Sequence, residues 1–327
     1  MHPSSYSYRI EHAGAPDVLQ RIPTTISAPG PTEVTLAQEA VGVNYLDVMQ
    51  RNGSAPLALP NGIGLEAAGR VTAVGSQVRD WAVGDRVGYI LGPIGAYASV
   101  RNYPAERLVR LPESLSAAQA AAVMFKGVTA HYLLTSTFAV GPGTTVLLYG
   151  AAGALGQLMV AWAKHLGAQV IGVVSKDSSA DRALAHGCDA ALVWGRDDIA
   201  ASVAQLPQGR KADVVYAGVG KDTFAASIDS LRPRGVMVSI GASSGAPAPV
   251  EVSMLNAKGS LFLTRPSIVA HATDLTEYHS RMAAVWAAVA DGILPAQPWK
   301  TYALEDAVAA HDALERHGSG GPIVLLP

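Results

Sequence analysis

The segment Val146–Leu166, VLLYGAAGALGQLMVAWAKHL, limits what this chain can fold into more than any other stretch. An apolar run from Thr145 to Tyr149 meets a turn holding Gly150, Gly153 and Gly156, and a helical pattern follows until Gly167. Such a strand–turn–helix leaves no side chain where a pyrophosphate would approach and aims helix N–H groups at negative charge. The spacing is GxxGxxG rather than GxGxxG, and Ala152 and Ala154 keep the same surface small. The unit reads as a dinucleotide-binding turn whose surroundings have to support it.

Downstream the pattern alternates. Strands are expected at Gln169–Val174, Ala191–Val193, Asp213–Tyr216, Val236–Ile240 and Leu261–Thr264, with helices at Leu155–Leu166, Ala180–His186, Ile199–Leu206 and Thr223–Leu231 between them. Alternation of this kind implies an α/β domain with a doubly wound parallel sheet. Upstream, from Tyr6 to Pro112, short runs such as YSYRI, EVTLAQEAVGVN, GRVTAVG, DRVGYI, YASVRN and LVRL are separated by Pro29-Gly30-Pro31 and Val83-Gly84-Asp85. These predict a β-rich, antiparallel, barrel-like domain. Ser116 is expected to cap an Ala-rich helix, and Gly127–Phe138 to form a second helix. Two further helices, Leu275–Gly292 and Leu304–Arg316, and the apolar run Ile323–Leu326 break the alternation and are assigned back to the first domain. The expected boundaries are 1–125 with 266–327 for the β-rich domain and 126–265 for the nucleotide domain.

A chain of 327 residues, 49% hydrophobic and 15% charged, suits two domains with sizeable cores. Its 24 basic and 26 acidic side chains form no basic stripe, so nucleic acid is not an expected partner. The single cysteine, Cys188, permits neither an intramolecular disulfide nor a cysteine-rich zinc site and reads as a small buried residue. Neither a leader-like N-terminus nor an apolar span of membrane length is seen, so a cytoplasmic protein without a membrane partner is expected.

In units that prefer NAD, a carboxylate about twenty residues beyond the turn receives the ribose 2′-hydroxyl. Here that strand ends in Val174-Ser175-Lys176, and Ser175, Lys176, Ser178, Ser179 and Arg182 offer donors and positive charge. The set suits a 2′-phosphate and points to NADPH. Asp177 would repel the phosphate if it faced inward; Asp177 or Ser178 would otherwise cap the following helix. Asp47 and Arg51 are expected to pair on one helical face.

With VGVNYLDVMQRNG at Val41–Gly53, GLEAAGRVTAVG at Gly64–Gly75, VGDRV at Val83–Val87, FKGVTAHYLL at Phe125–Leu134, YGAAGALGQL at Tyr149–Leu158, and later VVYAGVGKDTF and KGSLFLTRPS, the chain resembles the zinc-free, zeta-crystallin-like quinone oxidoreductases of the medium-chain dehydrogenase/reductase superfamily. The resemblance covers nearly the whole chain. It implies a GroES-like catalytic domain with a Rossmann NADPH-binding domain, an active cleft between them, a small quinone substrate and a homodimer. It places Asn44, Thr129 and Tyr132 at the nicotinamide and phosphate end, and Tyr45 in the substrate loop. Gly153, Ala154, Leu155 and Gly156 would hold the pyrophosphate, and Ser175, Lys176 and Ser179 the 2′-phosphate. Ile240, Ala242, Ser243 and Ser244, with Thr264 and Arg265, would lie beside the cofactor.

Some residues depart from that pattern. Zinc-dependent relatives place a cysteine ligand near Asn44 and a histidine in a Gly-His-Glu motif, where this chain has Gly64-Leu65-Glu66, so no metal is expected. Ser179 replaces a lysine, leaving Lys176 or Arg182 to supply the charge. Trp194 replaces a tyrosine near the adenine ribose, and Met49 and Ala55 replace tyrosines of the active loop, so no proton donor is assigned.

The leading reading is transfer of hydride or electrons from NADPH to small quinones. The same fold and hydride geometry also serve reduction of enone or alkenal double bonds, and a non-catalytic NADPH-binding protein is a third reading.

Overall fold

Tyr6–Ile10 (β1) pairs antiparallel with Gln20–Pro23 (β2) and with the two-residue strand Asn61–Gly62 (β4), forming a small sheet at the start of the chain. The larger N-terminal sheet is organised by Glu33–Val43 (β3), whose apolar residues Val34, Leu36, Val41 and Val43 are buried. One side of β3 pairs along most of its length with Glu66–Val74 (β5), which continues to Arg86–Ile90 (β6) and Val109–Arg110 (β8). The other side is shared: Glu33–Ala37 face Val100–Pro104 (β7), and Val41–Val43 face the distant C-terminal strand Ile323–Leu326 (β16). Lys300–Ala303 (β15) completes that edge, parallel to β16. Ile10, Ile63, Val87, Tyr89, Tyr97, Leu304 and Leu325 share one core with β3. Burying each such side chain contributes roughly 1.5–3 kcal/mol.

The coordinates are a computed structural model describing residues 5–205, 211–317 and 320–327. The chain divides into two compact units: Met1–Lys126, Ala272–Val289 and Pro295–Pro327 form one, and Gly127–His271 and Ala290–Leu294 the other.

In the second unit, six parallel strands run Thr145–Tyr149 (β9), Gln169–Val174 (β10), Ala190–Val193 (β11), Ala212–Ala217 (β12), Leu231–Ser239 (β13) and Phe262–Thr264 (β14). Their spatial order is β11-β10-β9-β12-β13-β14. Counted within the unit this is 3-2-1-4-5-6, the Rossmann arrangement, in which the strand order reverses between β9 and β12. All five residues of β9 are buried, as a strand covered on both faces requires. The helices Ala154–His165 (α3), Asp177–Ala185 (α4), Ile199–Ala204 (α5) and Phe224–Asp229 (α6) supply the crossovers.

Several sequence expectations are corrected. Residues 117–132 form one helix, Ala117–Tyr132 (α2), not two, and a π-type turn Leu133–Thr137 follows. Gly127 costs a helix about 1 kcal/mol, but Val123, Met124, Val128 and Ala130 around it are buried and carry the helix through. Ser116 does cap α2: its hydroxyl accepts from Gln119 N, while Gln119 Oε1 accepts from Ser116 N. Helix α4 starts at Asp177 with Lys176 at its N-cap and no side-chain cap, so neither Asp177 nor Ser178 caps it. Of the helix expected at Ile199–Leu206, α5 covers Ile199–Ala204, and Leu206 lies outside the described residues. Two short helices, Val252–Ala257 and Ile268–Ala272 (α7 and α8), were not expected. Near the C-terminus Leu275–Ala290 (α9) and Ala307–His317 (α10) appear close to their expected places.

Candidate functional site

In the second unit the candidate residues follow the C-terminal ends of the parallel strands. Gly150–Gly156 follow β9, Ser175–Arg182 follow β10, Trp194 follows β11, Ile240–Ser244 follow β13, and Arg265 follows Thr264 at the end of β14. Parallel register aligns Tyr149 with Val173, Val174 with Val193, Ala217 with Ser239, and Val238 with Thr264, so these segments share one edge of the sheet. Ligands of open α/β sheets bind at that edge, where the strand order reverses.

The three glycines of the turn have different reasons to be glycine. Gly150 has φ +73°, a left-handed conformation that other residues adopt at a cost. A Cβ on Gly156 would lie 2.2 Å from Gly150 O and 2.8 Å from Ala151 backbone atoms, so close strand–helix packing requires it. Gly153 has extended backbone, φ −87° and ψ 177°, and a Cβ there would meet only Gly150 O, at 3.2 Å. The backbone makes no demand for glycine at 153, and a Cβ there would press on this single backbone oxygen, far less than at Gly156. It caps α3 without a side chain, and the N–H groups of Ala154, Leu155 and Gly156 open the helix, where no intrahelical acceptor exists. A bare cap beside free donors fits the pyrophosphate of a dinucleotide.

At the end of β10, Ser175 to Ser178 are exposed. Ser179 is buried and its hydroxyl accepts from Arg182 Nη2 at 2.9 Å, which ties that guanidinium to the helix start. Asp177 is paired with Arg196, which also forks onto Asp197. The carboxylate that would oppose a 2′-phosphate is therefore countered by a cation the sequence reading did not single out. Trp194 is part-exposed and meets Tyr149 edge-on, ring centres 6.5 Å apart. Tyr132 is buried and stacks on His271 with centroids 4.3 Å apart, and Thr129 lies half-buried one turn earlier on α2. Ser244 is engaged with Val219 O, and Arg265 reaches Ser239 Oγ at 3.5 Å, while Ile240, Ala242 and Thr264 are half-buried and Ser243 exposed.

The first unit holds a different kind of centre. Asn44 precedes helix Tyr45–Asn52 (α1) and is buried, whereas Tyr45 is 45% exposed. Asn44 Nδ2 donates to Glu66 Oε2 at 2.9 Å, and Lys126 Nζ donates to Asn44 Oδ1 at 2.8 Å and to Val43 O at 3.2 Å. Glu66 Oε1 accepts from Phe125 N at 2.7 Å. Gly42 makes this approach possible, since a Cβ there would sit 2.2 Å from Glu66 Oε2. Burial raises the Glu66 carboxyl and lowers the Lys126 ammonium from their ordinary values, and their mutual attraction opposes both shifts.

Asp47 does not pair with Arg51. Its Oδ2 accepts from Asn44 N at 2.9 Å and from Tyr97 Oη at 3.2 Å, and burial pushes its carboxyl up to about 7. Arg51 instead forks onto Glu315 at 2.7 and 2.8 Å and donates to His311 Nδ1 at 3.2 Å. Because arginine only donates, His311 carries its hydrogen on Nε2, which is 2.8 Å from Tyr97 Oη. The chain of donors therefore runs one way, Arg51 to His311 to Tyr97 to Asp47. Burial, with the Arg51 charge, brings His311 down to about 3 and keeps it neutral. Glu66, Lys126, Tyr97 and His311 went unnoticed as a group; the one local signal was a lysine inside the apolar run AAAVMFKGV.

Among the described residues no group of three or more His, Cys, Asp or Glu side chains could hold a metal ion, and no helix is long and apolar enough to cross a membrane.

The class follows from these two sheets and from the segments they match. Residues 30–113 match the alcohol dehydrogenase GroES-like domain and residues 154–285 the zinc-binding dehydrogenase family, the two parts of a medium-chain dehydrogenase/reductase. A quinone oxidoreductase of Pseudomonas aeruginosa is 39% identical over 98% of this chain and 99% of its own. A 2-haloacrylate reductase of a Burkholderia species is 41% identical over 97% and 98%. The solved Escherichia coli quinone oxidoreductase complexed with NADPH superposes with a TM-score of 0.94 at 38% identity, covering 98% of this chain and 100% of that one. The chain belongs to the quinone oxidoreductase family of the medium-chain dehydrogenase/reductase superfamily.

Proposed function

We propose that this chain is an NADPH-dependent quinone reductase that works without a metal. The observation that carries the reading is Gly153, a glycine of ordinary extended backbone that leaves the cap of α3 bare on the edge where open sheets bind ligands. The quinone oxidoreductases named above, one of them complexed with NADPH, support it. In this reading residues 1–125 with 266–327 act as the catalytic domain and 126–265 as the cofactor domain.

NADPH, when bound, supplies a hydride. The first-turn N–H groups of α3 hold the pyrophosphate. Ser175, Lys176 and Arg182 take the 2′-phosphate, with Ser179 fixing Arg182 and Trp194 stacking nearby. Thr129, Tyr132, Ile240, Ala242, Ser243, Ser244, Thr264 and Arg265 line the cofactor, and Asn44 and Tyr45 face the substrate. A quinone that gains a hydride needs one proton to become the quinol, and solvent supplies it. The chemistry asks little of the protein beyond orientation, because quinone reduction is intrinsically favourable.

A homodimer belongs to the same proposal. Its support is β14, an edge strand whose Phe262 is 61% exposed, a surface that a second copy would cover. The single, buried Cys188 supports a cytoplasmic setting.

The second reading, reduction of an activated carbon–carbon double bond, is favoured by the 2-haloacrylate reductase at 41% identity. NADPH oxidation followed with 1,4-benzoquinone, a naphthoquinone and an alkenone in parallel tests both. Turnover with the quinones above the alkenone is the expected result. The reverse preference would establish the second reading, and NADPH binding without turnover would leave a non-catalytic binding protein.

A further inference from the structure

The amide of Asn44 is held between opposite charges. Lysine can only donate and an ionised carboxylate can only accept, so Lys126 at Oδ1 and Glu66 at Nδ2 determine which end of the amide is which. One Nδ2 hydrogen is used on Glu66, and among the described residues no acceptor faces the other. Asn44 is 3% exposed. A buried N–H without an acceptor is costly, and folded proteins leave such groups unpaired where a ligand or water supplies the partner. The ammonium on its oxygen and the carboxylate on its nitrogen together lock the orientation of the amide. Its second Nδ2 hydrogen is thereby held in one direction for a further acceptor.

The elements that build this arrangement are specific to it. Gly42 clears the space for Glu66, and Glu66 also takes the N–H of Phe125, so the carboxylate is locked to α2 one residue before Lys126. The Asp47 carboxylate holds Asn44 from the backbone side. Nothing in the small cavity beside β1, lined by Ser7, Thr24 and Asn102, or at Cys188 gathers a comparable set of charges.

We infer that the buried Lys126–Glu66 pair fixes Asn44 as a one-way hydrogen-bond donor to a carbonyl oxygen, which makes Lys126 a positioning residue of the proposed reaction. The inference rests on the NADPH-dependent reading above. A carbonyl oxygen could come from the substrate, a quinone or enone, or from the carboxamide of the nicotinamide, and the test separates them.

The experiment compares wild type with Lys126→Met, Lys126→Arg, Asn44→Asp and the double variant Lys126→Met/Glu66→Gln, in which neither partner of the pair is charged. Two quantities are read for each: the Kd for NADPH by fluorescence, and kcat and KM for 1,4-benzoquinone. Lys126→Met, the double variant and Asn44→Asp are expected to share one defect of about 10- to 100-fold, the loss of a charge-assisted hydrogen bond, and Lys126→Arg to recover part of it. A defect in kcat/KM with unchanged Kd assigns the oxygen to the substrate; a raised Kd assigns it to the cofactor. The inference is overturned if the folded double variant stays within twofold of wild type in both quantities, whatever the effect of Asn44→Asp. If wild type binds NADPH but reduces no acceptor, the reductase reading fails instead, and the Kd values alone decide the inference, unchanged values overturning it.

Discussion

Helix propensity and the geometry of the glycine turn make opposite predictions for Gly156→Ala. Alanine gains about 1 kcal/mol over glycine inside a helix, and Gly156 lies in the first turn of α3. Its Cβ, however, would stand 2.2 Å from Gly150 O and 2.8 Å from Ala151 Cα and C, all backbone atoms that cannot rotate away. Overpacking of that kind costs about 1–3 kcal/mol, and with immovable backbone atoms on every side the upper part of that range applies, so the net change should be destabilising by up to about 2 kcal/mol. At ~2–4 °C per kcal/mol for a unit of this size, the melting point should fall by up to roughly 8 °C. Gly153→Val should do the reverse. Its backbone is already extended and its Cβ meets one atom at 3.2 Å, so stability should change by about 1 kcal/mol or less, the loss of a glycine cap. The valine would instead cover the N–H groups of the first turn. Losing two charge-assisted hydrogen bonds to phosphate, each about 1.5 kcal/mol or more, predicts at least ~100-fold weaker NADPH binding. Differential scanning fluorimetry and NADPH fluorescence titration on both variants check the pair. A Gly156→Ala protein that melts above wild type, or a Gly153→Val protein that binds NADPH within threefold of wild type, would refute the reasoning.

Other variants probe the remaining features. Arg196→Ala removes the partner of Asp177 and should weaken NADPH binding roughly threefold, the scale of an exposed pair, while leaving NADH unchanged; equal losses for both dinucleotides would sever Asp177 from the 2′-phosphate. Asp47 faces Lys126, Glu66 and Tyr97, and burial holds its carboxyl near 7, above the ordinary carboxylate range. The native state therefore keeps a proton that the unfolded chain has released, and this group contributes stability below about pH 4 that is lost as pH rises through about 7. Asp47→Asn should remove that loss, gaining roughly 2–4 kcal/mol on wild type between pH 4 and pH 7.5 in urea titrations; a pH-independent difference would place the carboxyl at its ordinary value. In the proposed homodimer, Phe262→Arg on the edge strand β14 should turn a wild-type dimer into a folded monomer by light scattering; a monomeric wild type, or a variant that stays dimeric, would refute an interface at β14.

What could be read from the sequence was local. The strand β9, its glycine turn and α3 are consecutive, so their periodicities and punctuation stand in one window, and the Ser116–Gln119 cap is visible for the same reason. Strands β2, β4 and β15 escaped notice because QRIP, NG and KTYA carry little strand character of their own and are made extended by their partners. The break expected at Gly127 failed because the surrounding helix faces are buried, a tertiary effect that outweighs one residue's propensity. The centre at Asn44 was the least readable. Asp47 and Arg51 are spaced as a helical ion pair, yet Arg51 finds Glu315, 264 positions away, and Asn44 is clamped by residues 22 and 82 positions on. No local pattern records which distant charge arrives. The strand, glycine turn and helix at β9 and α3 were therefore readable as a unit, whereas the buried charges of the first unit emerge only when strands far apart in the chain are paired.

Strand β16 has a consequence for the order in which the protein is made. Ile323 to Leu325 pair with Val43 to Val41, so the edge of β3 beside Asn44 stays open until residues near the end of this sequence have left the ribosome. The parallel sheet from β9 to β14 lies entirely between those two segments and can form while they are still apart. During synthesis the nucleotide-binding sheet is thus free to mature first, while β3 waits with a bare hydrogen-bonding edge, the kind of surface that chaperones shield. The edge of β3 beside Asn44 therefore gains its partner strand only after every strand of the parallel sheet has been made.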